Sequence, residues 1–144
     1  RSNSLSAEAI AGMELFTSSR LKCSECHSGV FFTNFDFANN GLQEMYSDSG
    51  RMRLSGLESD RAVFKVPSLR NIEVTGPYLH NGSIETLMDV IDLYSNGGFD
   101  HANKSELLQD PIDLSELEKN QLLAFLKSLT DYSFLNDDRW NKVP

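Results

Sequence analysis

A chain of 144 residues is the size of one domain, and 40% apolar with 24% charged residues is the composition of a folded globular protein, not a disordered one. A formal net charge of −8 argues against nucleic acid and anionic membranes as partners, because phosphate binding needs a basic surface that releases counterions. No run of eighteen apolar residues occurs and the opening has no basic end leading into an apolar stretch, so neither a membrane span nor a signal peptide is expected, and a start on Arg1 reads as a processed or truncated product.

The first predicted element is a helix over residues 6–19, capped by Ser6, with Ile10, Met13 and Phe16 three apart as one apolar stripe. Lys22-Cys23-Ser24-Glu25-Cys26-His27 follows, the CxxCH pattern of covalent haem attachment. Thiols at this spacing reach the two vinyl groups on one porphyrin edge, and the His directly after the second thiol is held beneath the iron. Cys23 and Cys26 are therefore expected to anchor one haem c, with His27 as its proximal iron ligand. A zinc site needs two more good ligands where only His80 and His101 remain, and a thioredoxin-type pair needs strands alternating with helices, which are not evident. Haem is attached outside the bacterial cytoplasm, where the thiols stay reduced until they meet it. The expected compartment is the periplasm.

Residues 28–60 read as loop with short turns, rich in Gly, Asn and Ser. Within it Phe31, Phe32, Phe35 and Phe37 are expected as a cluster walling a flat apolar face, although any one of them is equally at home in a core. Residues 85–94 predict a helix with Leu87, Val90, Ile91 and Tyr94 on one side, ended by Asn96-Gly97-Gly98. A capping box at Ser115 and Glu118 opens the last clear helix, which runs through Leu122, Leu123, Leu126 and Leu129 and is expected to pack on the first. The tail from Tyr132 to Pro144 is expected to lie along the surface. The expected fold is a single all-α domain over residues 1–144, cytochrome c-like, wrapped round one covalently bound haem and carrying long loops.

Further motifs recur in order: Phe64-Lys65-Val66-Pro67-Ser68-Leu69-Arg70-Asn71, then Thr75-Gly76-Pro77-Tyr78-Leu79-His80-Asn81-Gly82, then Thr86-Leu87. With Gly12 to Phe16, Phe32-Thr33, Asn40-Gly41-Leu42 and the ending Phe125 to Asp131, they span nearly the whole chain. Together they resemble the C-terminal haem domain of the bacterial di-haem cytochrome c peroxidase and MauG family. The resemblance implies a second haem domain or chain as partner, with hydrogen peroxide reacting there, and a small redox protein as electron donor. It implies that this domain relays electrons to or from the peroxide-reactive haem. A stand-alone mono-haem cytochrome c electron carrier is the other reading, since one haem motif is present; no catalytic side chain is singled out.

In that family the C-terminal haem takes Met or Tyr opposite its proximal His, and the corresponding position here is Tyr94, fourteen residues beyond His80. Phenolate stabilises ferric iron, whereas a thioether favours ferrous iron. A packed core aromatic is the bland account of Tyr94, and Met88, Met52 and Met45 are the rival ligands. His80, in a Pro-Tyr loop, is expected to bond backbone or a haem propionate rather than a metal. Arg70, and after it Lys65 and Arg53, are candidates to neutralise propionates, with Arg53 better read as solvated surface. The resemblance also implies calcium between the two domains, bound through backbone carbonyls of Thr75 to Pro77, with the partner domain supplying further ligands.

Overall fold

Ser6 lies in extended backbone and its hydroxyl accepts from the Ala9 N–H at 3.1 Å, so the first helix, α1 (Ala7–Thr17), begins at the predicted cap. This computed structural model describes residues 4–141. After α1 come the single turn α2 (Cys23–Cys26), a two-residue strand β1 (Phe37–Ala38), the short α3 (Met52–Ser55) and strand β2 (Phe64–Lys65). The helices α4 (Leu87–Ser95) and α5 (Glu116–Ser128) follow, then two turns, α6 (Tyr132–Leu135) and α7 (Asp138–Asn141).

The buried face of α1 differs from the predicted stripe. Ala9, Gly12 and Phe16 point inward, while Ile10 and Met13 remain exposed. Gly12 is the cause: a Cβ there would collide with the Gln121 carbonyl oxygen of α5 and lie 2.9 Å from Phe125 Cβ. The helix backbones meet on the side where the residues are small, and closeness of approach outweighs the hydrophobicity of Ile10 and Met13. That α1 packs on α5 was expected, and so was the capping box of α5. There Glu118 Oε2 accepts from the Ser115 N–H at 2.9 Å while the Ser115 hydroxyl accepts from the Glu118 N–H at 3.4 Å.

The core consists of Phe16, Leu21, Ile91, Leu114, Leu122, Phe125 and Leu129. Leu123 and Leu126 pack against it half-buried. Of the four loop phenylalanines, only Phe32 joins it, its ring 6.1 Å from Phe16 and 6.0 Å from Phe125. Phe31, Phe35 and Phe37 stay exposed, with Lys65 Nζ over the Phe35 ring and Arg51 over Phe37.

Thr86 caps α4, its hydroxyl accepting from the Asp89 N–H and donating to the Asp89 carboxylate at 2.6 Å. The helix therefore starts two residues later than expected. Leu87 and Ile91 are buried, and Val90 and Tyr94 half-buried. At its end the buried Ser95 hydroxyl accepts from the Leu114 N–H at 2.8 Å, tying α4 to the segment that enters α5. Gly97 and Gly98 both take positive φ, 82° and 63°, and a Cβ on Gly98 would lie 2.5 Å from the Gly41 carbonyl oxygen. The loop around residue 40 thus presses on the end of α4, and the Phe99 N–H donates to the same carbonyl at 2.7 Å.

The fold is helix-rich rather than wholly helical, because β1 and β2 form an antiparallel pair with Phe37 opposite Lys65 and Ala38 opposite Phe64. Two residues per strand carry no alternation for sequence reading to detect. The pair is nonetheless fastened on both flanks, by Thr33 Oγ1 donating to the Val66 carbonyl at 2.7 Å and the Val66 N–H donating to Asp36 O at 2.8 Å. The described part of the tail forms α6 and α7 with Tyr132, Phe134 and Trp140 exposed, in keeping with a surface course; residues 142–144 lie outside the described residues. No helix among the described residues is long and apolar enough to cross a membrane.

Gly12→Ala is expected to destabilise the protein by about 1–3 kcal/mol, the usual cost of overpacking a tight interface. Chemical denaturation of the two proteins measures it, and equal midpoints would show that α1 and α5 do not meet at Gly12.

Candidate functional site

Lys22 adopts a left-handed backbone, φ 56°, which turns the chain from the buried Leu21 into α2. One helical turn separates Cys23 from Cys26, so both thiols project from the same side, and the His27 N–H closes the turn on Cys23 O at 2.9 Å. Burial above all pushes the Cys23 thiol up to about 11, and burial also raises Cys26. Redox-active CxxC pairs work through a depressed thiol pKa, the opposite of what this turn produces. Among the described residues no group of three or more His, Cys, Asp or Glu gathers as a metal site.

His27 Nδ1 lies 3.0 Å from the Phe32 carbonyl oxygen. A carbonyl only accepts, so Nδ1 carries the proton and the lone pair of the neutral ring is on Nε2. Burial holds the imidazole below its usual pKa, against the opposing pull of the Phe32 and Pro67 carbonyls. The ring is accordingly neutral near pH 7 and its lone pair available to a metal. Phe32 itself sits at φ 51°, an unfavourable conformation for a bulky residue, with its ring locked in the core. Arg70 braces the same loop: Nε donates to Val30 O at 2.8 Å and the guanidinium lies 5.4 Å from the Phe32 ring centroid.

Tyr94 comes from α4 to this turn, close enough to Cys23 and Cys26 for their charge to act on its phenol. Burial is the main cause that pushes it up to about 12; both thiols and Tyr46 add to the rise, and a hydrogen bond with the Asn40 side chain opposes it. The rival methionines sit elsewhere. Met45 is almost fully exposed, Met52 half-buried on α3, and Met88 about 120° round α4 from Tyr94 at 100° per residue.

His80 stacks on Phe64 at 3.8 Å between centroids and lies 5.9 Å from Tyr46; burial lowers its pKa, with Asp48 acting the other way. Lys65 Nζ donates to the Val66 carbonyl at 3.2 Å. Arg53 is exposed on α3, as its surface reading implies, and Thr75 and Pro77 are exposed too. Sequence reasoning missed the polar network of the loop at residues 39–46. Asn39 is buried, with Oδ1 accepting from the Gly41 N–H at 2.8 Å and from the Tyr46 hydroxyl at 3.3 Å, and His101 Nε2 lies 2.7 Å from Gln43 O. The Asn39-Asn40-Gly41 turn was the available signal, since such residues aim side-chain amides at nearby backbone and neighbours. A depression of about 670 Å³ behind Tyr46, lined also by Asn39, Met45, Ala62 and His101, does not include the cysteine turn.

No family model matches the sequence. The methylamine utilization protein MauG of Methylorubrum extorquens is 36% identical over 129 residues, covering 88% of this chain and 36% of that protein. The cytochrome c551 peroxidase of Nitrosomonas europaea is 33% identical over 132 residues, covering 89% of this chain and 36% of that one. Among solved structures, a MauG-like protein associated with microbial copper homeostasis superposes with a TM-score of 0.88 at 34% identity, over 95% of this chain and 51% of the other. The diheme peroxidase BthA from Burkholderia thailandensis, at 20% identity, shares the fold with a TM-score of 0.73. The chain spans about a third of the length of these two curated relatives. Over that span it belongs to the family of the di-haem cytochrome c peroxidases and MauG, for which c-type haem is the implied cofactor.

Proposed function

We propose that this chain is the electron-relaying c-type haem domain of a di-haem peroxidase or MauG-like oxidoreductase. One haem c would be joined to Cys23 and Cys26, with His27 and Tyr94 the residues that would hold its iron. The observation that carries the reading is the His27–Phe32 hydrogen bond, which directs Nε2 as the metal-binding nitrogen on the very turn that carries both thiols. The residues suit the group in other ways. Both thiols are protonated and half-buried, the state in which they add to vinyl groups, and the turn packs on an aromatic core through Leu21 and Cys23. When bound, the haem supplies a one-electron couple.

The chain's own part is to hold that couple steady. His27 is fixed in tautomer and orientation by Phe32, and Tyr94 is brought from a separate helix anchored in the same core through Ile91. With His27 and Tyr94 both held by the protein, a bound iron would keep its donors when an electron passes and would offer peroxide no open position, leaving that reaction to the partner domain. The motifs that resemble the family's C-terminal half support a second position for this domain in the whole protein. Arg70, and His80 on its aromatic stack, are assigned to the haem surroundings. The exposed Thr75 and Pro77 are assigned to a calcium site shared with the partner. A small redox protein is the electron donor, and the site of action is the periplasm, where c-type haem is attached.

Replacing both Cys23 and Cys26 by Ser is expected to release haem that otherwise stays with the chain in denaturing electrophoresis. Haem retained by the double variant would end the assignment of the attachment site.

Tyr94→Phe is expected to change the ferric EPR and near-infrared spectra and to raise the potential of this haem, since an anionic donor to ferric iron is lost. An unchanged spectrum would end the assignment of Tyr94, and a sulfur-to-iron charge-transfer band in the unaltered protein would move the sixth ligand to a methionine.

A further inference from the structure

Lys104 is the only lysine or arginine among the described residues that the fold buries, at 5% exposed. No carboxylate among the described residues forms an ion pair with it. Its ammonium instead donates to the Gly97 carbonyl at 2.6 Å, just past the end of α4, where carbonyls gather partial negative charge. A lysine out of water is costly unless paired, and an apolar side chain of similar volume would serve stability as well or better. The cation therefore calls for a reason other than packing.

Its approach to Gly97 is fixed along the whole side chain. The Lys104 N–H donates to His101 O at 3.1 Å, its carbonyl accepts from Gln109 Nε2 at 3.0 Å, and the Ser105 N–H donates to Asn39 O at 2.9 Å. Further out, Cδ and Cε pass Gly41 so closely that a Cβ on that glycine would lie 2.9 Å from each. The carbonyl that Lys104 reaches belongs to the turn that closes on Tyr94, because the Gly97 N–H donates to Tyr94 O at 3.2 Å. On the other side of Tyr94, the Ser95 hydroxyl accepts from the Leu114 N–H at 2.8 Å and the Ser95 carbonyl from the Asp113 N–H at 3.0 Å. Tyr94 thus stands between two fastenings, one made by main-chain amides and one by a single charged side chain.

We propose that Lys104 is a positioning residue for Tyr94: by holding the Gly97 carbonyl it fixes the last turn of α4 and keeps the sixth position of a bound haem closed. The inference rests on Tyr94 being the iron ligand. Without the ammonium, Gly97 O loses a charged donor, a change worth on the order of tenfold in an equilibrium constant. The end of α4 then opens more often by that factor, as a local event that leaves the core folded. Small anions that compete for the iron gain entry in proportion. A lysine kept for stability alone would alter unfolding without altering that access.

The test is ferric EPR together with the rate of cyanide binding on the full-length, haem-loaded protein, comparing Lys104→Met, Lys104→Gln, Thr86→Ala and Tyr94→Phe with the unaltered chain. Lys104→Met keeps an unbranched stem and removes the donor; Lys104→Gln keeps a neutral donor and carries the test if the Met variant does not fold. Thr86→Ala removes the cap at the opposite end of the same helix, so it weakens α4 without touching Gly97. Tyr94→Phe should abolish the native ferric signal and bind cyanide fast. Lys104→Met should show the native signal mixed with a second one and bind cyanide about tenfold faster than the unaltered chain, with Lys104→Gln between the two. Thr86→Ala should lower the thermal midpoint while keeping the native signal and rate. If the Lys104 variants keep the native signal and rate, or if Thr86→Ala speeds cyanide binding as much as they do, Lys104 only stabilises the fold and the proposal falls, with Tyr94 keeping its role. If Tyr94→Phe changes neither signal nor rate, both assignments fall together.

Discussion

Everything at the candidate site turns on the Phe32 carbonyl. A histidine can present either ring nitrogen, and the 3.0 Å contact from Nδ1 to this oxygen removes the choice. The carbonyl can hold that position because Phe32 is anchored at its other end, its ring wedged between Phe16 of α1 and Phe125 of α5. The cost is a positive φ on a bulky side chain, which a relaxed loop would not keep. Packing of the two longest helices therefore sets the tautomer of one imidazole. Gly12, by letting α1 and α5 meet backbone to backbone, belongs to the same chain of causes.

A second constraint governs the opposite side. Helix α4 must end abruptly for the loop at residues 39–42 to press on it, and Gly97 and Gly98 supply the two left-handed residues that do so. Lys104, itself buried, donates to the Gly97 carbonyl at 2.6 Å, placing a cation at the end of the helix where exposed carbonyls accumulate partial negative charge. The outcome is a short, rigid approach between a helix and a loop distant in sequence. Tyr94 lies at that approach, four residues before Gly98, so its environment is decided by loop geometry more than by its own helix.

How legible this was depended on whether the information is local. The Ser6 and Ser115 caps, the Thr86-Leu87 start within two residues, the glycine stop after Tyr94 and the pairing of α1 with α5 were all readable, because each is written in residues adjacent along the chain or on one helix face. CxxCH was readable for the same reason: its chemistry is contained in five consecutive residues. What escaped reading was long-range. The inward face of α1 follows from where α5 can come closest, and the β1–β2 pair from a register set by Thr33 and Val66, thirty-three residues apart. The division of the phenylalanines, Phe32 inward and Phe31, Phe35 and Phe37 outward, follows from the positive φ at Phe32 and Phe35, which breaks any periodic reading of that segment.

The two sides of the site differ in a way that bears on their roles. His27 is neutral, half-buried and held by a backbone carbonyl whose position is fixed by the packing of the Phe32 ring. Tyr94 is carried near the end of α4, which the loop at residues 39–42 meets through the Phe99 N–H donating to Gly41 O at 2.7 Å. Burial that raises the Tyr94 phenol to about 12 favours the protonated form when no metal is near, and the two cysteine thiols add to it. Deprotonation at neutral pH would then require a cation at the phenol oxygen, which the iron of the proposed haem would supply. The same burial that makes a free phenolate unfavourable thus ties its formation to the filling of the site.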